Sequence, residues 1–78
     1  MGLEQYEDIV TSVIDGNKAV NIPNYLALIN YLTAVEGFRL TDLVVDAGIV
    51  KMMFVNKRLK ISLSLIGEGQ YCSLERNF

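Results

Sequence analysis

The hydrophobic period of the chain changes near residue 38. Before that point apolar residues recur every three or four positions; after it they recur every second position. Over residues 3–15, Leu3, Tyr6, Ile9, Val10, Val13 and Ile14 fall within an arc of about 140° on a helical wheel, with Glu4, Gln5, Glu7, Asp8, Thr11, Ser12 and Asp15 opposite. This predicts an amphipathic helix. Its early acids suit the positive end of the helix dipole, and Gly16-Asn17 supplies the stop. Lys18–Ile22 reads as a short connector. Pro23 and Asn24 then open a second helix over 24–36, closed by Gly37. Tyr25, Leu28, Ile29, Leu32 and Val35 form its core stripe. Leu26, Ala27, Tyr31 and Ala34 leave little of the remainder polar, so this helix should be covered on more than one side.

Beyond Phe38 the alternation predicts strands at about 40–46, 49–55, 58–66 and 70–76. Leu59, Ile61, Leu63 and Leu65 alternating with Lys60, Ser62 and Ser64 are the clearest of these. Two-residue turns set a trial register. Ala47-Gly48 puts Val45 opposite Val50 and Leu43 opposite Met52. Asn56-Lys57 puts Phe54 opposite Leu59, Met52 opposite Ile61 and Val50 opposite Leu63. Glu68-Gly69 puts Cys72 opposite Leu65 and Leu74 opposite Leu63. All three choices collect apolar residues on one face. The expected fold is therefore α+β: a single domain over 1–78, with two N-terminal helices packed on one face of a four-stranded antiparallel meander.

Residues 24–76 also resemble a winged helix-turn-helix. Leu40–Ile49 would be its second helix and turn. Val50–Lys60 would be a recognition helix turning Lys51, Lys57, Arg58 and Lys60 to DNA, and Ile61–Arg76 would be the wing. That resemblance implies a DNA-binding regulator. Against it stand the Met-Met-Phe-Val core of the supposed recognition segment and the β-branched Val44, Val45, Ile49, Val50 and Val55.

Composition narrows the chemistry. The 78 residues include no His and one Cys, which removes His-based general bases, catalytic triads, Cys-x-x-Cys motifs and intramolecular disulfides. A small domain without disulfides fits a reducing, cytoplasmic home. The acidic start is unlike a signal peptide, and no apolar stretch approaches the ~20 residues of a membrane helix. The net charge is −2, and it is uneven. Residues 1–46 hold seven acids and two bases, and residues 47–78 five bases and two acids. Glu36, Asp42 and Asp46 are the acids that could converge, but on a strand Asp42 and Asp46 lie together on the solvent face. Cys72 falls on the core face, where a thiol is inert. Gly67-Glu68-Gly69 reads as a turn. No enzyme, cofactor, metal or small-molecule substrate is expected.

What remains is a surplus of apolar surface. The second sheet face carries Val44, Ile49, Met53, Val55, Ile66 and Tyr71, and the chain has no third layer to cover it. Tyr31 and Tyr71 fall off the expected core and are interface candidates. The expectation is a small protein-binding module that docks on a protein partner or on itself. Ile49, Lys51, Met53, Val55, Arg58, Lys60 and Tyr71 form its contact surface, with Met53 and Tyr71 as anchors. Compact, acidic chains free of catalytic motifs resemble phage or plasmid accessory proteins that inhibit a host system. Nucleic acid is the lesser alternative partner, and no membrane role is expected.

Overall fold

A computed structural model of the chain describes residues 4–78. The expected helix start at Leu3 lies outside the described residues. Helix α1 spans Glu4–Ile14, strand β1 Ala19–Pro23 and helix α2 Tyr25–Asn30. Helix α2 continues through a π-type turn, Tyr31–Val35. Strands β2 (Arg39–Asp46), β3 (Ile49–Asn56), β4 (Ile61–Glu68) and β5 (Tyr71–Asn77) follow. The strands form one five-stranded sheet in the order β1-β5-β4-β3-β2, antiparallel throughout. The fold is α+β, with both helices on one face of the sheet.

Helix α1 buries Val10 and Val13 and half-buries Tyr6, Ile9 and Ile14, as its apolar arc requires. It ends where expected. Gly16 takes φ +106°, the Asn17 N–H donates to the Ser12 carbonyl at 3.1 Å, and the Gly16 N–H donates to the Val13 carbonyl at 2.9 Å. Arg76 of β5 ties down the same end, donating from Nη1 to the Ile14 carbonyl at 2.6 Å, with Phe78 5.0 Å from its guanidinium.

The sheet has one strand more than the four expected. The stretch read as a connector pairs with β5, with Ala19 opposite Leu74 and Ile22 opposite Cys72. Its pattern was hidden by a bulge: Val20 and Asn21 together oppose Ser73, and Asn21 sits at φ +56°. The extra residue breaks the period-two alternation that marks a strand.

The second helix differs from an ideal α-helix at its end. The Glu36 N–H donates to the Tyr31 carbonyl, five residues back, and the Phe38 N–H reaches the Leu32 carbonyl at 2.8 Å. The wider turn changes the helical phase of the residues after Tyr31, whose own N–H still reaches the Ala27 carbonyl. Val35, expected on the core stripe, is 55% exposed, and Tyr31, expected at the surface, is 3% exposed. The Tyr31 ring lies 6.2 Å from that of Tyr6.

Two of the three expected turns move. Asp46 and Ile49 flank Ala47-Gly48 as anticipated, so Val45 opposes Val50 and Leu43 opposes Met52. Between β3 and β4 the turn takes four residues, 57–60, so Phe54 opposes Leu63 and Met52 opposes Leu65. Leu59, expected in the strand, is in this turn and is 46% exposed. Asn56 makes the longer turn. Its Oδ1 accepts from the Leu59 N–H at 3.0 Å, and Lys60 takes φ +58°. Between β4 and β5 the turn is Gly69-Gln70, so Leu65 opposes Leu74. Gly67, expected in the turn, is a buried strand residue. A Cβ there would meet the Tyr25 ring at 3.1 Å, so the glycine lets helix α2 approach the sheet. Both register shifts are even in number, so every side chain keeps its expected face.

The core lies between helices and sheet, around Phe54, Leu63, Leu65, Leu74, Leu28 and Leu32. The winged-helix alternative is overturned. Val50–Asn56 is strand β3, and Lys57–Lys60 is its turn, so the segment contains no recognition helix.

Candidate docking surface

Alternation along β3 buries or half-buries Val50, Met52, Phe54 and Asn56 on the helix side and turns Ile49, Lys51, Met53 and Val55 to the outer face. In β4 the outer residues are Ser62, Ser64, Ile66 and Glu68. In β5 they are Tyr71, Ser73, Glu75 and Asn77. Five of the seven expected contact residues therefore share this face: Ile49, Lys51, Met53, Val55 and Tyr71. Arg58 and Lys60 do not. They were assigned there on the assumption of a two-residue turn, and the four-residue turn carries them to one end of the sheet.

The outer face is divided by chemistry. At one end, Ser64 Oγ donates to Asn77 Oδ1 at 2.8 Å and Asn77 Nδ2 donates to Ser62 Oγ at 3.1 Å, a polar clasp across β4 and β5. The other end carries the exposed apolar residues, interspersed with Asp42, Asp46, Lys51 and Glu68. One hollow of about 250 Å³ is lined by Asp42, Val44, Lys51, Met53, Ser64 and Ile66. A neighbouring hollow of about 430 Å³ is lined by Val20, Ile66, Tyr71 and Ser73 among others. Ile66, opposite Lys51 on one side and Ser73 on the other, is the ridge between them. Val44, Met53, Ile66, Tyr71 and Val20 thus make an exposed apolar stripe crossing all five strands, with Lys51 as the cation within it. Ile66 and Val44 were recognisable as surplus apolar residues. Val20 was hidden with the rest of β1.

Of the two displaced residues, Arg58 lines a separate cleft of about 370 Å³ with Arg39 and Lys57, beside Glu36 and Gly37, and Lys60 does not. Glu36 is already engaged: its Oε2 accepts from the Tyr31 hydroxyl at 2.7 Å, and its carbonyl accepts from Asn56 Nδ2 at 3.0 Å. Burial, and then this carboxylate, push the Tyr31 phenol up to about 12. Asp42 Oδ1 accepts from the Leu43 N–H at 3.0 Å. Burial pushes the Cys72 thiol up to about 11, so it stays protonated at neutral pH. Among the described residues, no three His, Cys, Asp or Glu side chains gather to hold a metal ion. No described helix is long and apolar enough to cross a membrane.

A second exposed apolar surface is one the sequence placed in the core. Leu40, Leu43 and Val45 lie on the helix-side face of β2, in register with Phe54, Met52 and Val50, yet every residue of β2 is exposed. Helix α1 packs against β1 and β5, while β2 is met by the π-type turn at the end of α2. The helix layer is biased towards β1, and β2 overhangs it.

Comparison with protein-family models, with curated proteins and with solved structures finds no match.

Proposed function

We propose that this chain is a non-enzymatic protein-docking module whose working surface is the apolar end of the outer sheet face. The observation that supports it most is the stripe of Val20, Val44, Met53, Ile66 and Tyr71, exposed together on the sheet face that no helix covers. Covering a half-exposed Met, Ile or Tyr contributes on the order of 1 kcal/mol each, so these three would be the centre of a contact whose remaining area supplies the rest of the affinity. Tyr and Met are favoured at such centres, and Lys51 would orient a partner that presents an acid. Three of the groups weighed for chemistry are otherwise occupied. Glu36 holds Tyr31, Asp42 holds a backbone N–H, and Cys72 is a buried neutral thiol. The reading carries with it a reducing, cytoplasmic setting, and an effect exerted by occupying a partner's surface, as an inhibitor of phage type would.

The test compares the wild-type chain with a Met53→Asp/Tyr71→Asp double variant as bait in extract of the native source. Both positions are exposed, so the variant should keep its circular dichroism spectrum. A protein retained by the wild type and lost from the folded variant supports the reading. Equal retention by both, or none by either, rejects it.

A further inference from the structure

We infer that two copies of this chain join edge to edge through β2, antiparallel about a twofold axis at Leu43, so that the two five-stranded sheets become one. Strand β2 is an edge of the sheet, eight residues long, without Lys or Pro, and exposed along its whole length. An edge of this kind is a template for another strand.

The hydrogen-bonding groups on the open side can be identified. The two-residue Ala47-Gly48 turn makes Asp46 and Ile49 a hydrogen-bonded pair, so alternation turns the N–H and C=O of Leu43 and Val45 away from β3. The Leu43 N–H indeed donates to the Asp42 side chain, outside the ladder. A twofold axis at Leu43 therefore joins groups that point away from β3, with the Leu43 N–H exchanging its local, exposed Asp42 acceptor for the partner strand's carbonyl.

Charge complementarity selects both the occupant and the register. Thr41 is the extra residue of a bulge between Leu40 and Asp42. With Thr41 set aside, pairing about Leu43 places Leu43 against its own counterpart, Leu40 against Val45, Asp42 against Val44, and Arg39 against Asp46. The helix-side face then carries an unbroken apolar row, Leu40–Val45, Leu43–Leu43 and Val45–Leu40. On the outer face each end closes with an Arg39–Asp46 ion pair. Moving the axis to Asp42 opposes two Asp42 carboxylates, and moving it to Val44 opposes Asp42 to Asp46; both arrangements repel. A slip of one residue sets outer residues against inner ones. Within one chain Arg39 and Asp46 sit at opposite ends of β2, roughly 20 Å apart at the usual strand rise, so they cannot serve each other. The two outer stripes would lie side by side in the joined sheet. The stripe reaches β2 only at Val44, while the dimer rests on the helix-side row of Leu40, Leu43 and Val45 and on Arg39 and Asp46, so substitutions at Val45 and at Met53 with Tyr71 test the two readings separately.

Sedimentation equilibrium of the full chain over a concentration series tests the proposal. The expected mass rises from 8.7 kDa towards twice that value. Val45→Lys, at a position 66% exposed, should hold the chain at monomer mass with an unchanged circular dichroism spectrum. Arg39→Asp and Asp46→Arg, taken singly, each create two like-charge pairs and should weaken the dimer on the order of tenfold. The Arg39→Asp/Asp46→Arg double variant should restore it, since rescue can come only from the second copy. A wild-type chain that stays monomeric at its highest soluble concentration overturns the proposal. So does a double swap without rescue. A dimer that survives Val45→Lys and is lost in Met53→Asp/Tyr71→Asp overturns it too, and moves the contact to the outer face.

Discussion

The two edges of the sheet are built in opposite ways. At one edge, β1 is five residues long, is kinked by a bulge at Val20-Asn21, ends in Pro23, and sends Ile22 into the core beside Cys72. At the other, β2 is eight residues long, regular from Asp42 to Asp46, and buries none of its side chains. Short length, a bulge and a proline are the devices that stop strands from pairing with strangers. The chain applies all three to β1. β2 has a bulge at Thr41, and its Asp42 carboxylate rests on one open N–H. The difference teaches that the exposed grease of β2 is not a general looseness of a small domain. The same 78 residues guard one edge and leave the other open.

The sharpest way to break this contrast is to truncate one apolar residue on each edge. Ile22 is 3% exposed, so Ile22→Ala should lose about 2–4 kcal/mol of stability by removing buried methyl groups and leaving a cavity. Val45→Ala should change the monomer by about 0.5 kcal/mol or less, as exposed substitutions do. Urea denaturation at dilutions where the chain is monomeric measures both. Comparable losses would show that β2 is packed after all.

Alkaline pH should act through two buried groups, one beside β1 and one in the π-type turn that meets β2. Cys72 opposes Ile22 of β1, and Tyr31 is buried beneath α1 near Tyr6. Burial raises the thiol from 9.0 to about 11. Burial and the Glu36 carboxylate raise the phenol from 10.0 to about 12. In each case the unfolded chain releases its proton first. The stability held by the neutral thiol is therefore full below pH 9 and lost as pH rises towards 11. That held by the phenol is full below pH 10 and lost towards 12. Thermal melts should fall steeply across this range, and a Tyr31→Phe/Cys72→Ala variant should flatten the fall while starting from a lower plateau. An unchanged slope would mean that neither group titrates differently on folding.

Much of this contrast could not be read along the chain, for identifiable reasons. The face of each residue in β2–β5 was legible, because alternation fixes it and the two turn errors were even in number. The partner of each residue was not, because Asn56 and Gln70 can lengthen or move a turn without disturbing the alternation. β1 was missed since an extra residue at a bulge erases the period of two. Val35 left the core stripe because a π-type turn shifts the helical phase, which nothing in YLTAV announces, while Tyr31 keeps its α-helical phase and is buried because α1 brings Tyr6 beside it. Most consequentially, alternation reports which side of the sheet a residue faces and not whether a helix reaches that far. Leu43 and Val45 have the right face for the core and no cover. For the contact surface, Ile49, Lys51, Met53, Val55 and Tyr71 stayed together because they depend on face alone. Arg58 and Lys60 depended on turn length.

The open edge is held at its entrance by a polar hub, which gives a smaller and more local test. Asn56 is buried, donates to the Glu36 carbonyl and accepts from the Leu59 N–H, while Phe38 inserts beneath the corner that leads into β2. Asn56→Ala leaves both backbone partners unanswered and should cost about 1–3 kcal/mol. Hydrogen exchange should show the loss first in the amides of β2 and the 57–60 turn, while those of β1 and β5 keep their protection. Uniform loss across the sheet would make the hub a global support and not the tether of one edge.

The smallest effect concerns the far end of the same strand. Ala47 occupies φ +51° in the two-residue turn after β2, with Gly48 at φ +79°. This is the backbone of a type I′ turn, for which Asn-Gly is the favoured pair, and an alanine Cβ is strained in the left-handed region. Ala47→Asn relieves that strain without touching a side-chain contact and should raise stability by about 0.5–1 kcal/mol in urea denaturation. Because the turn clamps the Asp46 end of β2 to β3, the gain should appear as slower exchange of the β2–β3 hairpin amides and leave the β1–β5 pair unaffected. A variant with no gain would place the cost of the turn elsewhere. A gain that spread equally to β1 would show that the two edges, built so differently, still open together.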